Sequence, residues 1–206
     1  MSQIIDISQT LTRGMPVWPG DTEFQPTWVA RMEKGDPCNV GSVTMSLHTG
    51  THADAPLHFM REGRSIAEMD LSAYIGLAQV IDLVGAESIA PEHLLPIAPS
   101  LPERVIFKTR LSPAPRFEPD FTYVTPDAAR MLAGFGIKLI GIDTPSVDGS
   151  ASETFESHKI LASAGIAILE NLNLAKVAAG RYELIALPLK LAGMDASPVR
   201  AVLRTL

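Results

Sequence analysis

Apolar residues fall in short runs along this chain, and the punctuation between the runs changes from one half to the other. Ile, Val and Leu dominate residues 3–8 (QIIDIS), 42–48 (SVTMSLH), 78–83 (AQVIDL), 104–109 (RVIFKT), 137–143 (IKLIGID), 166–171 (IAILEN) and 182–189 (YELIALPL). Most of these runs are bounded by Gly, Pro or Asp, which predicts strands. Helix signals appear between the later ones. Thr125 suits an N-cap, Pro126 the first helical position and Asp127 the helix dipole, and Gly134 or Gly136 ends the helix predicted over 125–136. Two further helices are expected over 157–165, closed by Gly165, and over 171–180. Strands alternating with helices only in the second half point to a mixed α/β fold rather than a regular doubly wound sheet.

Two segments read as long loops. Residues 111–121 (LSPAPRFEPDF) carry three prolines and should be extended and exposed. Residues 143–154 (DTPSVDGSASET) are small and polar directly after an apolar strand, either a functional loop or a plain surface excursion. At 206 residues the chain is expected to form one domain over its whole length.

Charge and cysteine usage narrow the class. A formal charge of −6 argues against a nucleic-acid or anionic-membrane surface. The single cysteine, Cys38, cannot form an intrachain disulfide, which fits a reducing compartment. The start MSQIIDISQT has neither a basic segment nor a long apolar stretch, so no signal peptide and a cytoplasmic location are expected.

The unusual chemistry lies in residues 46–59, SLHTGTHADAPLHF, which hold three of the five histidines. A helix through this stretch is opposed by Gly50, the β-branched Thr49 and Thr51, and Pro56. A strand does better: Val43, Met45 and Leu47 alternate with Thr44, Ser46 and His48, and continuing the alternation puts His48, Gly50, His52 and Asp54 on one side. Gly50 then leaves space between the imidazoles. Two imidazoles and a carboxylate suit zinc or a similar ion, although a merely polar strand face has the same pattern. Pro56 should bend the chain so that His58 returns toward the site. Remaining donors must come from elsewhere. His158 opens a short helix, and Glu170 shares a strand face with Ile166 and Ile168, either as a ligand or as a strand-end carboxylate in water.

LHTGTHADAPLHF resembles the H-x-G-T-H-x-D-x-P-x-H signature of the cyclase-like metal-dependent amidohydrolases. PVWPGD (16–21), GIDTPSVD (141–148) and the distant His158 and Glu170 match in order, and the combination is similar to the bacterial kynurenine formamidase branch. The resemblance implies a swivelling β/β/α-type fold, a homodimer, and two divalent ions per subunit, commonly zinc. It implies that His48, His52 and Asp54 hold the first ion. Asp54, His158 and Glu170 hold the second, His58 acts as acid and base, and Trp18 lines the substrate pocket. The reaction implied is hydrolysis of N-formyl-L-kynurenine to L-kynurenine and formate by a metal-activated water.

Three rivals stand beside it. A sister activity of the same family opens a cyclic amide such as isatin. A serine hydrolase would need a G-x-S-x-G elbow, which the chain lacks. A non-catalytic metal-binding domain would more usually close its shell with Cys and His than with carboxylates.

Overall fold

A computed structural model describes residues 2–206. Its strands are β1 (Ile4–Asp6), β2 (Gln25–Ala30), β3 (Val40–Thr44), β4 (His52–Asp54), β5 (Ile75–Asp82), β6 (Ser88–Ile89) and β7 (Arg104–Lys108). They continue as β8 (Tyr123–Val124), β9 (Leu139–Ile142), β10 (Ala167–Glu170), β11 (Gly180–Ile185), β12 (Ala196–Pro198) and β13 (Val202–Thr205). Three α-helices are present among the described residues: α1 (Pro91–Leu94), α2 (Pro126–Gly134) and α3 (Glu156–Ser163). None is long and apolar enough to cross a membrane.

Nine strands form one mixed sheet in the order β1-β13-β11-β5-β7-β9-β10-β4-β12. Its middle, β5-β7-β9-β10, is parallel, and antiparallel strands flank it on both sides. Every residue of β7 and β9 is buried, as expected where a parallel sheet is covered on both faces. The pleat sorts neighbours into two cores: Val105, Phe107, Ile140 and Ile142 pack with Leu132 of α2 and Leu161 of α3. Ile106, Leu139 and Leu169 face the opposite way, toward Tyr74, Leu184 and Leu203. The fold is thus a mixed α/β domain built on one large sheet, as the strand and helix signals predict.

α2 starts as its sequence dictates, with the Thr125 hydroxyl accepting a hydrogen bond from the Ala128 amide. Two expectations fail. No helix forms over 171–180: Asn171 takes a left-handed conformation at φ +55°, Leu172 and Asn173 run past the carbonyls of Ile142 and Ile7, to which their amides donate, and Gly180 already opens β11. The predicted strand 42–48 is also wrong in extent and setting. β3 stops at Thr44 and pairs only with β2, in a hairpin whose Trp28, Val29 and Val43 side chains are exposed. The proline-rich segment 111–121 is a loop as expected. The segment 143–154 divides: Asp143, Thr144, Val147 and Asp148 are buried, whereas residues 149–154 run along the surface.

Candidate metal centre

β10 and β4 are antiparallel, with Glu170 opposite His52 and Ile168 opposite Asp54. Partners across a strand pair share a face and lie close together. His52, Asp54 and Glu170 therefore gather on the helix side of the sheet, while Ala53 between the first two turns into the other core. α3 brings His158 onto the same spot. None of these four residues is more than 4% exposed.

His48 arrives differently from the expected continuous strand. The chain turns at Gly50, whose φ is +65°, and strand pairing resumes only at His52. The glycine does not open space between imidazoles. A Cβ on it would lie 2.5 Å from Leu11 Cδ2, so Gly50 serves the left-handed turn and close packing there. The turn nevertheless returns His48 to the cluster, its ring centroid 4.9 Å from that of His52.

Each of the three imidazoles is held from outside through one nitrogen. His52 Nδ1–H donates to the Gly50 carbonyl at 2.9 Å. His158 Nδ1–H donates to Asp148 Oδ2 at 2.6 Å, and His48 Nε2–H to Asp195 Oδ2 at 3.0 Å. The other nitrogen faces inward in every case. His52 Nε2 lies 3.3 Å from both Asp54 Oδ1 and Glu170 Oε2. His158 Nε2 lies 3.1 Å from Glu170 Oε1 and 3.5 Å from Asp54 Oδ2, and His48 Nδ1 lies 3.2 Å from Asp54 Oδ1.

His158 Nε2 is hydrogen-bonded to Glu170 Oε1, but other inward atoms are close without being satisfied. His52 Nε2 and both carboxylate oxygens of Asp54 are fully buried and have no partner in hydrogen-bonding geometry. Leaving such groups unpaired is costly. These atoms lie close enough together to hold an ion as well as to pair with one another. Inward nitrogens fixed by outer hydrogen bonds, together with two buried carboxylates, fit a divalent cation. His48, Asp54 and His58 each offer a ligand atom within 4.8 Å of one another, and so do His52, Asp54 and Glu170. Asp54 belongs to both groups, as expected, but their other members differ from the expected sets: His58 stands with His48, and His52 with Glu170. Protons take the place of the positive charge otherwise: burial disfavours the charged form of His52, but Asp54 and Glu170 outweigh it and push its pKa up to about 10.

His58 closes a 3-10 turn begun by Pro56, so the expected bend is present. Its Nδ1 is 3.1 Å from Asp195 Oδ2, and its ring centroid is 4.1 Å from that of His48. The side chain is 31% exposed, unlike the inner ligand candidates. Burial lowers its pKa despite the nearby acids, which favours the neutral ring.

Trp18, His58, Phe59, Phe117 and Phe155 line a cavity of about 430 Å³ that opens onto the cluster. The Trp18 ring meets Phe117 edge-on at 5.1 Å. Arg110, Asp143 and Glu170 enter from the carboxyl ends of β7, β9 and β10, the crevice where open α/β sheets commonly take ligands. The two non-glycine residues at positive φ among the described residues, Phe155 and Asn171, both line this cavity. Strained backbone of that kind gathers at functional sites.

The structure thus brings together all seven residues singled out from the sequence. Reading the sequence missed three supports. Asp148 binds His158 and the amides of Ser157 and His158, Asp195 links His48 to His58, and the Phe59 ring packs on that of His158 at 3.9 Å. Asp148 lay in the conspicuous DTPSVD segment, whereas nothing in the sequence around Asp195 pointed to it.

Comparison with known proteins agrees with the geometry. The Cyclase family model matches residues 5–149, which include the histidine-rich segment but stop short of His158 and Glu170. A solved structure described as a potential metal-dependent hydrolase with cyclase activity is 34% identical, covers 100% of this chain and 99% of its own, and superposes with a TM-score of 0.87. A second, a predicted metal-dependent hydrolase from Bacillus stearothermophilus, is 33% identical over 100% of both chains with a TM-score of 0.86. Isatin hydrolase A from Labrenzia aggregata is 26% identical over 99% of this chain and 94% of its own, with a TM-score of 0.86. A full-length match in fold and sequence, joined to a buried cluster fit for a divalent ion, leads to one conclusion: the chain belongs to the cyclase family of metal-dependent hydrolases.

Proposed function

We propose that the protein hydrolyses the linear aryl formamide N-formyl-L-kynurenine to L-kynurenine and formate. The observation that carries this reading is a buried cluster of inward-facing ligand atoms beneath an aromatic cavity, with one histidine left at the boundary between them. His48, His52, Asp54, His158 and Glu170 would hold two divalent ions, zinc in the first instance, with Asp54 shared. Ions there supply a Lewis acid for the carbonyl oxygen and lower the pKa of water toward neutrality.

The chain's own residues do the rest. The formyl C–N bond breaks as the oxygen of water bonds to the formyl carbon, and the departing aryl amine must gain a proton. His58 Nε2 is the acid and base for that transfer. Asp195 holds the opposite ring nitrogen and so aims Nε2 at the cavity. Trp18 and Phe117 supply an apolar wall for the substrate ring, and the enclosing aromatic residues limit bulk water.

A cyclic amide is the second reading, supported by the likeness to isatin hydrolase A. The test is formate release from N-formyl-L-kynurenine by the purified protein, before chelation, after it and after zinc is restored, beside isatin opening under the same conditions. Formate release that disappears with chelator and returns with zinc is expected. Faster isatin opening with negligible formate release would transfer the assignment to the cyclic amide.

A further inference from the structure

The proline-rich segment 111–121 takes no part in the cluster, yet Ala114, Arg116, Phe117 and Glu118 all line the cavity above it. Both ends of the segment are anchored. At its start the Thr109 hydroxyl donates to the buried Asp143 carboxylate at 2.6 Å, and the Arg110 amide donates to it at 3.1 Å. At its end Phe121 is buried, and the Thr122 hydroxyl donates to the Ala86 carbonyl at 2.6 Å. Between these anchors residues 111–121 make no hydrogen bond or ion pair among the described residues, through backbone or side chain. An aromatic contact holds the middle instead. The Trp18 ring meets Phe117 edge-on at 5.1 Å and Phe121 at 6.3 Å. Trp18 itself is on a tethered loop, since the Asp21 amide donates to its carbonyl and the Ser46 hydroxyl donates to Asp21.

The segment also has room to move. Phe117 and its neighbours border the cavity of about 430 Å³, while Pro113 and Pro115 border a second cavity of about 320 Å³, shared with residues between 9 and 16. Segments without backbone hydrogen bonds are the first to open locally. Unravelling is opposed here, because Pro113, Pro115 and Pro119 fix their own φ and restrict Ser112, Ala114 and Glu118 before them. A proline-rich stretch of this kind is stiff and swings about its anchored ends. The single contact of Phe117 with Trp18 favours the position seen here only about 2- to 10-fold. That is a latch that releases easily.

We propose that residues 111–121 form a strap that closes over the cavity and releases it, hinged at Arg110 and Phe121 and latched by Phe117 on Trp18. A ligand in the cavity touches the strap only when it is closed, so binding shifts the balance toward closure. The closed strap excludes water from the cluster, and opening on the microsecond to millisecond scale of such lids lets the occupant leave. Motion of the strap does not depend on the hydrolase reading above, which serves only to choose the probe.

The test puts nitroxide labels at Pro115→Cys on the strap and Asp127→Cys on α2 of the metal-loaded full chain. Cys38→Ser removes the native thiol, and Pro113 and Pro119 keep the strap stiff. Pulsed electron paramagnetic resonance then reads the distance between the labels. Two populations are expected in the free protein. Phe117→Ala should move their ratio toward the open one by roughly 2- to 10-fold, and saturating L-kynurenine should leave the closed one dominant. One narrow distance that neither Phe117→Ala nor L-kynurenine alters would overturn the strap. L-kynurenine bound by calorimetry without any change in the populations would overturn closure over a ligand. A shift in Phe117→Ala with no L-kynurenine bound would uphold the strap and count against the hydrolase reading.

Discussion

The inner cluster and the outer wall of the same cavity are built on opposite principles. His52, Asp54 and Glu170 sit on paired strands and His158 on a helix, all are buried, and outer hydrogen bonds hold His52, His158 and Glu170 in place. Trp18 and Arg116 sit on loops, partly or largely exposed, and the Arg116 side chain has no hydrogen-bond or ion-pair partner among the described residues. On the proposed function, chemistry that fails with small displacement rests on the rigid scaffold, and substrate selection falls to segments that tolerate change. The two regions should therefore respond differently to substitution.

The largest effect is expected at the centre. His52→Ala should remove bound metal and activity together, a loss exceeding the roughly 10–100-fold expected for an outer partner; elemental analysis beside turnover decides, and unchanged metal content would break the distinction. His58 lies between the two regions. His58→Ala should keep its metal yet lose about 10²–10⁴-fold in kcat, and near wild-type turnover would take it out of the proton transfer. Asp148→Ala releases His158 Nδ1, and zinc affinity measured with a competing chelator should fall about 10–100-fold. On the outer wall, Trp18→Ala should raise KM by roughly 2- to 10-fold, the worth of one aromatic contact, with little change in kcat. A fall in kcat as large as that of His58→Ala would erase the difference between wall and centre.

The smallest effect lies outside both regions. Arg200 Nε donates to Asp6 Oδ2 at 3.0 Å at the far edge of the sheet. The slight burial of Asp6 alone would raise its pKa, but Arg200 and Ser8 outweigh it and hold the carboxyl below its ordinary value. This stabilisation is present above the unfolded pKa, about 3.9, and is lost as pH falls through the lower folded value. Arg200→Ala should therefore lower Tm slightly at neutral pH and make no difference at strongly acid pH, with metal affinity unchanged throughout.

The sequence and structure agree where local rules act alone. The two-residue period of strands puts His52 with Asp54, and Ile166 and Ile168 with Glu170, whatever the surrounding fold. Thr125 caps its helix for reasons contained in four residues. Agreement ends where a distant partner decides. After Asn171, Leu172 and Asn173 are tied to the distant carbonyls of Ile142 and Ile7 in an irregular path where a helix was expected. Gly50 takes the left-handed turn, and Leu11 beside it leaves no room for a side chain there. Asp195 lies 147 residues from His48, and only the folding of β12 against β4 makes them neighbours. His48, His52 and Asp54 were legible because their motif is compact, and the distant His158 and Glu170 only through the order of motifs in the family resemblance. Their supports were not, because the supports exist only in three dimensions.

The central claim is that the convergent lone pairs of the cluster are ligands shared through Asp54. Zinc titration of the metal-stripped protein by calorimetry, beside Asp54→Ala, tests it most directly. Two ions per chain are expected for the native sequence and neither held tightly in the variant, since Asp54 belongs to both ligand groups. Zinc bound with the same stoichiometry and affinity by both proteins would contradict the account.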